Sequence, residues 1–223
     1  MNRKIILVLL AVVLTASYAH AQFNMGVRAG FSLTNISEKY DGKKPDKEDR
    51  YQIKPGVQIG LTGEFAIAHG FSVQWGTLLT TNGYRLNYSG DDEGFGTWEH
   101  KHELHITYVH IPLNAQYQID LGKMKVLLQA GPYYGYAISG TYSRKSMING
   151  MPQNVAADVE FGSGAGEMKR TDFGVGLGAA LQLGKFRAGI SDHFGVMNLS
   201  NADIIKQKNQ SLTFSLTYMF FNR

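Results

Sequence analysis

Apolar and polar residues alternate along most of the chain from Phe23 onward. Phe23, Met25, Val27, Ala29, Phe31 and Leu33 share one face of an extended chain, and Asn24, Gly26, Arg28, Gly30, Ser32 and Thr34 share the other. Side chains of a strand point alternately to opposite sides, so a period of two held this long predicts β-strand and excludes an amphipathic helix. Seven further runs follow, within 51–67, 71–88, 109–119, 126–138, 173–183, 186–196 and 212–220. The third slips phase, from Phe71, Val73 and Trp75 to Leu78, Tyr84, Leu86 and Tyr88. Such a slip predicts a β-bulge, or a stretch beyond the zone that imposes the pattern.

The connections between runs alternate in length. Long segments at 35–50, 89–102, 143–170 and 200–208 are interleaved with short ones at His69-Gly70, 120–123 and Gly184-Lys185. This is the plan of an all-β, eight-stranded antiparallel up-and-down transmembrane β-barrel, with short periplasmic turns, long outer loops and both termini in the periplasm.

A soluble lipocalin-like ligand-binding barrel would alternate as well. Its polar face, however, would meet bulk water and carry many Lys and Glu. Here that face is mostly Gly, Ser, Thr, Asn and Gln, and Gly26, Gly30, Gly56, Gly60, Gly174, Gly176 and Gly178 lie on it. Small residues make room for large neighbours in a crowded lumen, so the apolar face is expected to point outward into lipid. Aromatics fit two belts at headgroup depth. Phe23, Phe65, Phe71, Tyr117, Phe186, Tyr218 and Phe220 fall at the short-turn end, and Tyr51, Tyr84, Tyr88, Tyr134, Tyr136 and Phe194 toward the other.

Composition adds three points. Arg3 and Lys4, the apolar run Ile5–Leu14 and Ala19-His20-Ala21 read as a signal peptide over 1–21, leaving 22–223 as one barrel domain. The chain has no cysteine, so no disulfide holds it and no lipidated cysteine anchors it. The formal net charge is +4, of which Arg3 and Lys4 belong to the signal, and this small excess excludes nucleic acid as a partner.

Several segments resemble the PorT-type outer-membrane β-barrel family common in Bacteroidota. They are Tyr108-Val-His-Ile-Pro-Leu-Asn-Ala-Gln-Tyr117, Leu128-Gln-Ala-Gly-Pro-Tyr-Tyr-Gly-Tyr136, the glycine-rich Phe173–Ala180, and Phe194–Leu199. The resemblance implies an eight-stranded barrel in the outer membrane of a Gram-negative cell. One named member of the family serves a protein-secretion system, but no residue here carries that role across. Pro112 and Pro132 fit such strands at a bulge or at a locally unpaired position.

An eight-stranded barrel is filled by its own side chains. Inward-facing Arg28, Glu64, Asp172 and Arg187, with Lys54, Lys125 and His193, are therefore expected to pair in a lumenal charge network, a structural plug rather than an ion path. His100, His102 and His105 offer metal-ligand types at close spacing beside Asp91, Asp92, Glu93 and Glu103, and are read as solvated loop histidines rather than a Zn or Cu site. Ser191-Asp192-His193 has nucleophile chemistry, yet adjacent strand residues face opposite ways and Asp192 cannot orient His193. The segment Glu38–Arg50 carries five charges of each sign and reads as a solvated loop. The expectation is a non-enzymatic barrel without cofactor, structural, adhesive or assisting secretion and assembly through its outer loops. Its partners are outer-membrane lipid, the barrel-assembly machinery and a secreted or surface protein. A lipid-modifying enzyme using His193, His105 or His110 is the alternative.

Overall fold

The computed structural model describes residues 23–40, 52–92, 96–148, 151–164, 166–202 and 205–220, without the side chains of 38–40, 88–92, 96–99 and 148. The signal-peptide reading over 1–21, Tyr51 and the loop segment 41–50 lie outside the described residues.

Strands are β1 (Phe23–Tyr40), β2 (Lys54–Ala68), β3 (Phe71–Asp92), β4 (Gly96–Leu121), β5 (Met124–Ile148), β6 (Met151–Asp158), β7 (Thr171–Leu183), β8 (Phe186–Gly195) and β9 (Ile205–Met219). Every pairing between the named strands is antiparallel, and β4–β5 and β1–β9 close eight of them into a ring. Among the described residues the ninth, β6, pairs with β5 alone and stands outside the ring. Following paired residues once around, from Phe23 through Phe65, Val73, Ala115, Ala130, Leu177, Asp192 and Leu212, returns to β1 at Leu33, a stagger of ten residues. Stagger tilts the strands and sets the bore, and eight strands leave an interior that side chains can fill. At the short end, His69 (φ 52°) and Gly70 (φ 82°) both take the left-handed backbone that a two-residue hairpin turn requires.

The apolar face points outward. Val27, Ile59, Leu113, Val175 and Leu216, from five strands, are 43–61% exposed. A soluble barrel would pack them around its axis, so the lipocalin-like alternative is overturned. The short-turn belt is in place, with Phe71 against Tyr117 at 4.7 Å and Phe186 against Tyr218 at 5.2 Å between ring centroids. At the other end Tyr134, Tyr136, Phe173 and Phe194 face out. Tyr84 does not join them and packs against an internal cluster instead.

Two expectations change. The connections at 89–102 and 143–170 contain strand: β3 and β4 pair out to Asp92 and Gly96, and β5 runs to Ile148 before doubling back as β6. These extensions carry no greasy face because neither side meets lipid or core, so backbone pairing forms them without the alternation that marks a strand in sequence. The phase slip in β3 is not a bulge, since the β3–β4 register is the same at Trp75↔Leu113 and Leu78↔His110. The strand runs on with both Leu78 and Tyr84 inward: Tyr84 packs on the apolar cluster at the long-connection end, while Leu78 is buried beside Pro112 and Asn114 in the middle of the bore. Bulges occur instead at Ala66/Ala68 beside the turn and between Thr107 and Tyr108, where Ile138 of β5 is the extra residue.

Pro112 and Pro132 sit where the ladder skips without changing register. Pairing passes from Trp75↔Leu113 to Leu78↔His110 around Pro112, and from Pro112↔Tyr133 to Ala115↔Ala130 around Pro132. A residue with no N–H leaves such a gap.

Candidate functional site

The lumen has three levels. At the short-turn end Arg187 Nη1 lies 2.6 Å from Glu64 Oε2, and Arg187 Nε donates to Gln182 Oε1 at 2.7 Å. Both charged side chains are about nine-tenths buried. Beside the pair a cavity of about 310 Å³, lined among others by Asn24, Lys125 and the β2–β3 turn, opens toward this end.

In the middle, inward polar side chains bond one another between neighbouring strands. Gln74 donates to Thr62, Asn114 to Gln74, and Gln116 to Ser72. Arg28 Nε donates to Thr217 Oγ1 at 3.2 Å and forms no ion pair among the described residues. Next, Asp172 Oδ2 accepts from Tyr133 Oη at 3.1 Å and from Asn209 Nδ2 at 2.9 Å. The rings of His110, Tyr133 and His193 pack together, with His110 and His193 edge to face at 5.0 Å. Gly174 and Gly176 make this packing feasible: a Cβ on Gly174 would stand 2.5 Å from the Tyr133 ring, and one on Gly176 2.8 Å from His193. The gaps lined by His110, His193 and Arg28 are each about 10 Å³.

At the far end the lumen is closed by an apolar cluster. Ile36, Leu104, Ile106, Tyr108 and Ala137 point inward from the wall, and Met168 and Leu199 cover them with Val159 and Phe161 packed alongside. The covering segment is held down by Asn201, whose Nδ2 donates to the carbonyls of Gly162 and Glu167.

The residues expected to form one charge network are thus distributed among levels. Glu64 and Arg187 meet; Arg28 bonds a hydroxyl; Asp172 bonds Tyr133 and Asn209; His193 packs against His110; Lys125 borders the cavity. Lys54 is at the far rim, donating to Leu104 O at 2.9 Å and lying 3.9 Å from Glu103, which also takes Arg85 at 2.8 Å. Sequence reasoning named His110 only as a candidate of the lipid-modifying alternative and left Tyr108, Tyr133 and Asn209 unassigned, although period-two counting places each on the inward face.

Above the barrel, His100 Nδ1 lies 2.7 Å from Ser146 Oγ, and His102 Nδ1 bonds the Tyr142 hydroxyl. His105 projects from the opposite face of β4, away from that pair. Burial, then Arg144, then His100 push the His102 imidazole below its ordinary pKa. Ser191 and His193 both face the lumen while Asp192 faces out between Leu177 and Leu212, so the three do not converge.

An inward polar plug inside an outward apolar wall is the arrangement of a membrane barrel. The sequence profile of the outer membrane protein beta-barrel domain matches residues 16–201. The chain belongs to this family. Its place is the bacterial outer membrane. No curated protein matches the sequence. Among solved structures, OprG of Pseudomonas aeruginosa is similar at 14% identity over 90% of this chain and 97% of that one, with a TM-score of 0.39. Neisserial surface protein A is similar at 10% identity over 87% and 96%, TM-score 0.38. Ail of Yersinia pestis, solved with the heparin analogue sucrose octasulfate, is similar at 14% identity over 89% and 99%, TM-score 0.36. At such scores the fold rests on this chain's own ladder of strand pairs.

Proposed function

We propose that this outer-membrane protein is a non-enzymatic barrel that binds an extended segment of a partner protein at the cell surface, with both termini in the periplasm. The observation that carries the reading is β6. All eight of its residues are exposed, and among the described residues it pairs with β5 on one side only. With the extended ends of β3, β4 and β5 it forms a sheet standing beyond the aromatic belt, and its free edge presents unpaired backbone groups to any chain that can add as a further strand. Val159 N–H donates to Gly140 O across the β5 side. By alternation the N–H groups of Asn154 and Ala156 face the free edge. Pro152 falls on the same side and shortens that edge, as natural edge strands do.

The test is photo-crosslinking from Val155 in intact cells, with a crosslinker at lipid-facing Ile59 as background. Ala156→Pro removes an edge donor and leaves pairing to β5 intact, so it should cut the adducts from Val155 at least tenfold without changing gel mobility of the folded barrel. Adducts unaffected by the proline would refute edge pairing.

Orientation follows the rule that short turns face the periplasm. Assistance in secretion or assembly stands beside adhesion in this reading through the family resemblance alone, with no residue carrying that role across, and the barrel-assembly machinery is the partner during biogenesis. Against a lipid-modifying enzyme stands the space at His110 and His193, where gaps of about 10 Å³ admit no lipid.

A further inference from the structure

Four cations gather on one side of the barrel at the end where the long connections lie. The backbones of Lys169, Leu199 and Gln207 lie side by side, since Lys169 N–H donates to Leu199 O at 2.8 Å and Leu199 N–H to Gln207 O at 2.9 Å. Arg170 follows Lys169, while Lys206 and Lys208 flank Gln207 on the outward face of β9. Arg170 is fixed: its guanidinium carbon stands 5.0 Å from the Phe161 ring centroid and 5.7 Å from that of Tyr136, and Nη1 donates to Ala137 O. Among the described residues none of the four forms an ion pair. Among the described side chains the nearby carboxylates do not neutralise them. Glu167 is turned to Gly164 N–H at 2.7 Å, Glu160 is on the covering segment, and Asp192 lies two residues deeper on β8 than Phe194.

Directly below the cations the wall is apolar and outward, with Tyr136, Phe173, Phe194 and Val196 exposed. Like charges repel unless a counter-charge sits among them. A cationic cluster ending on a lipid-facing wall complements an amphiphile with an anionic head and hydrocarbon tails.

We propose that this patch binds the phosphate-bearing headgroup of an outer-leaflet lipid, whose acyl chains lie along Phe173, Phe194 and Val196. The leaflet rests on the orientation given above, whereas the binding itself does not, so a bilayer accessible from both sides separates the two.

The experiment uses the folded barrel in phosphatidylcholine nanodiscs containing bisphosphorylated lipid A, its dephosphorylated counterpart, or no lipid A but inorganic phosphate in solution. Native mass spectrometry reads retained lipid, and amide shifts of Phe173 and Phe194 read its place. Wild type should retain the phosphorylated lipid preferentially and shift those amides. The K169Q/R170Q/K206Q/K208Q variant should lose at least tenfold of that preference, since each cation near an anionic surface contributes about fivefold. Lys123→Gln, at the opposite end, should change nothing. Equal retention of the dephosphorylated lipid, an unaffected quadruple variant that keeps the folded gel mobility, or equal shifts with inorganic phosphate alone would each overturn the proposal.

Discussion

Glu64 and Arg187 show how much a single contact inside the bore is worth. Breaking a buried pair leaves one charge without compensation and costs about 3–5 kcal/mol, while replacing both partners by apolar groups of similar size is far milder. Glu64→Leu and Arg187→Leu should each lower the urea midpoint of the refolded barrel, and the double variant should recover much of the loss. Equal loss in the double variant would assign the effect to packing. The sequence placed both residues on the inward face, because period two is local. Which inward charges meet was not legible, since Glu64 and Arg187 are brought together only when β2 and β8 curve toward each other across the bore.

Among the elements, the β4–β5 extension is held by backbone pairing and by contacts such as His102 to Tyr142. The His102 pKa is depressed in the folded extension, so the unfolded segment takes up its proton first as pH falls. Stability is therefore intact above the ordinary histidine value of about 6.5 and declines as pH drops below it toward the folded value. Amide exchange of residues 100–106 and 140–146 should quicken between neutral pH and pH about 5, and the His102→Gln variant should flatten that response. Exchange that is flat in the wild type would contradict this. β6 was invisible in sequence for a related reason: Met151–Asp158 is exposed throughout, so nothing imposes a two-residue rhythm on it.

For the whole molecule the question is whether the bore conducts. Among the described residues the gaps lining the polar middle are each about 10 Å³, and the mouth at the long-connection end is sealed by Ile106, Leu104, Met168 and Leu199. A water-filled path needs continuous space along the axis, and the packed levels interrupt it. Planar-bilayer recordings should show no stable open-channel current. The folded barrel should also migrate differently in detergent gels before and after boiling. A steady ohmic conductance would mean that the apolar seal opens.

The sequence alone determined the strand class, the number of strands in the ring and the direction of the greasy face, because alternation reports which medium each side chain meets and lipid acts on every strand alike. It also located the short turns, where backbone geometry selects residues such as His69-Gly70. Only tertiary structure decided what lies inside. Ring closure with a ten-residue stagger brings Asp172 to Tyr133 and Asn209, packs Tyr84 against the internal apolar seal, and adds β6 outside the ring. Those contacts join residues far apart in the chain, and no local pattern encodes which of them share a level of the bore.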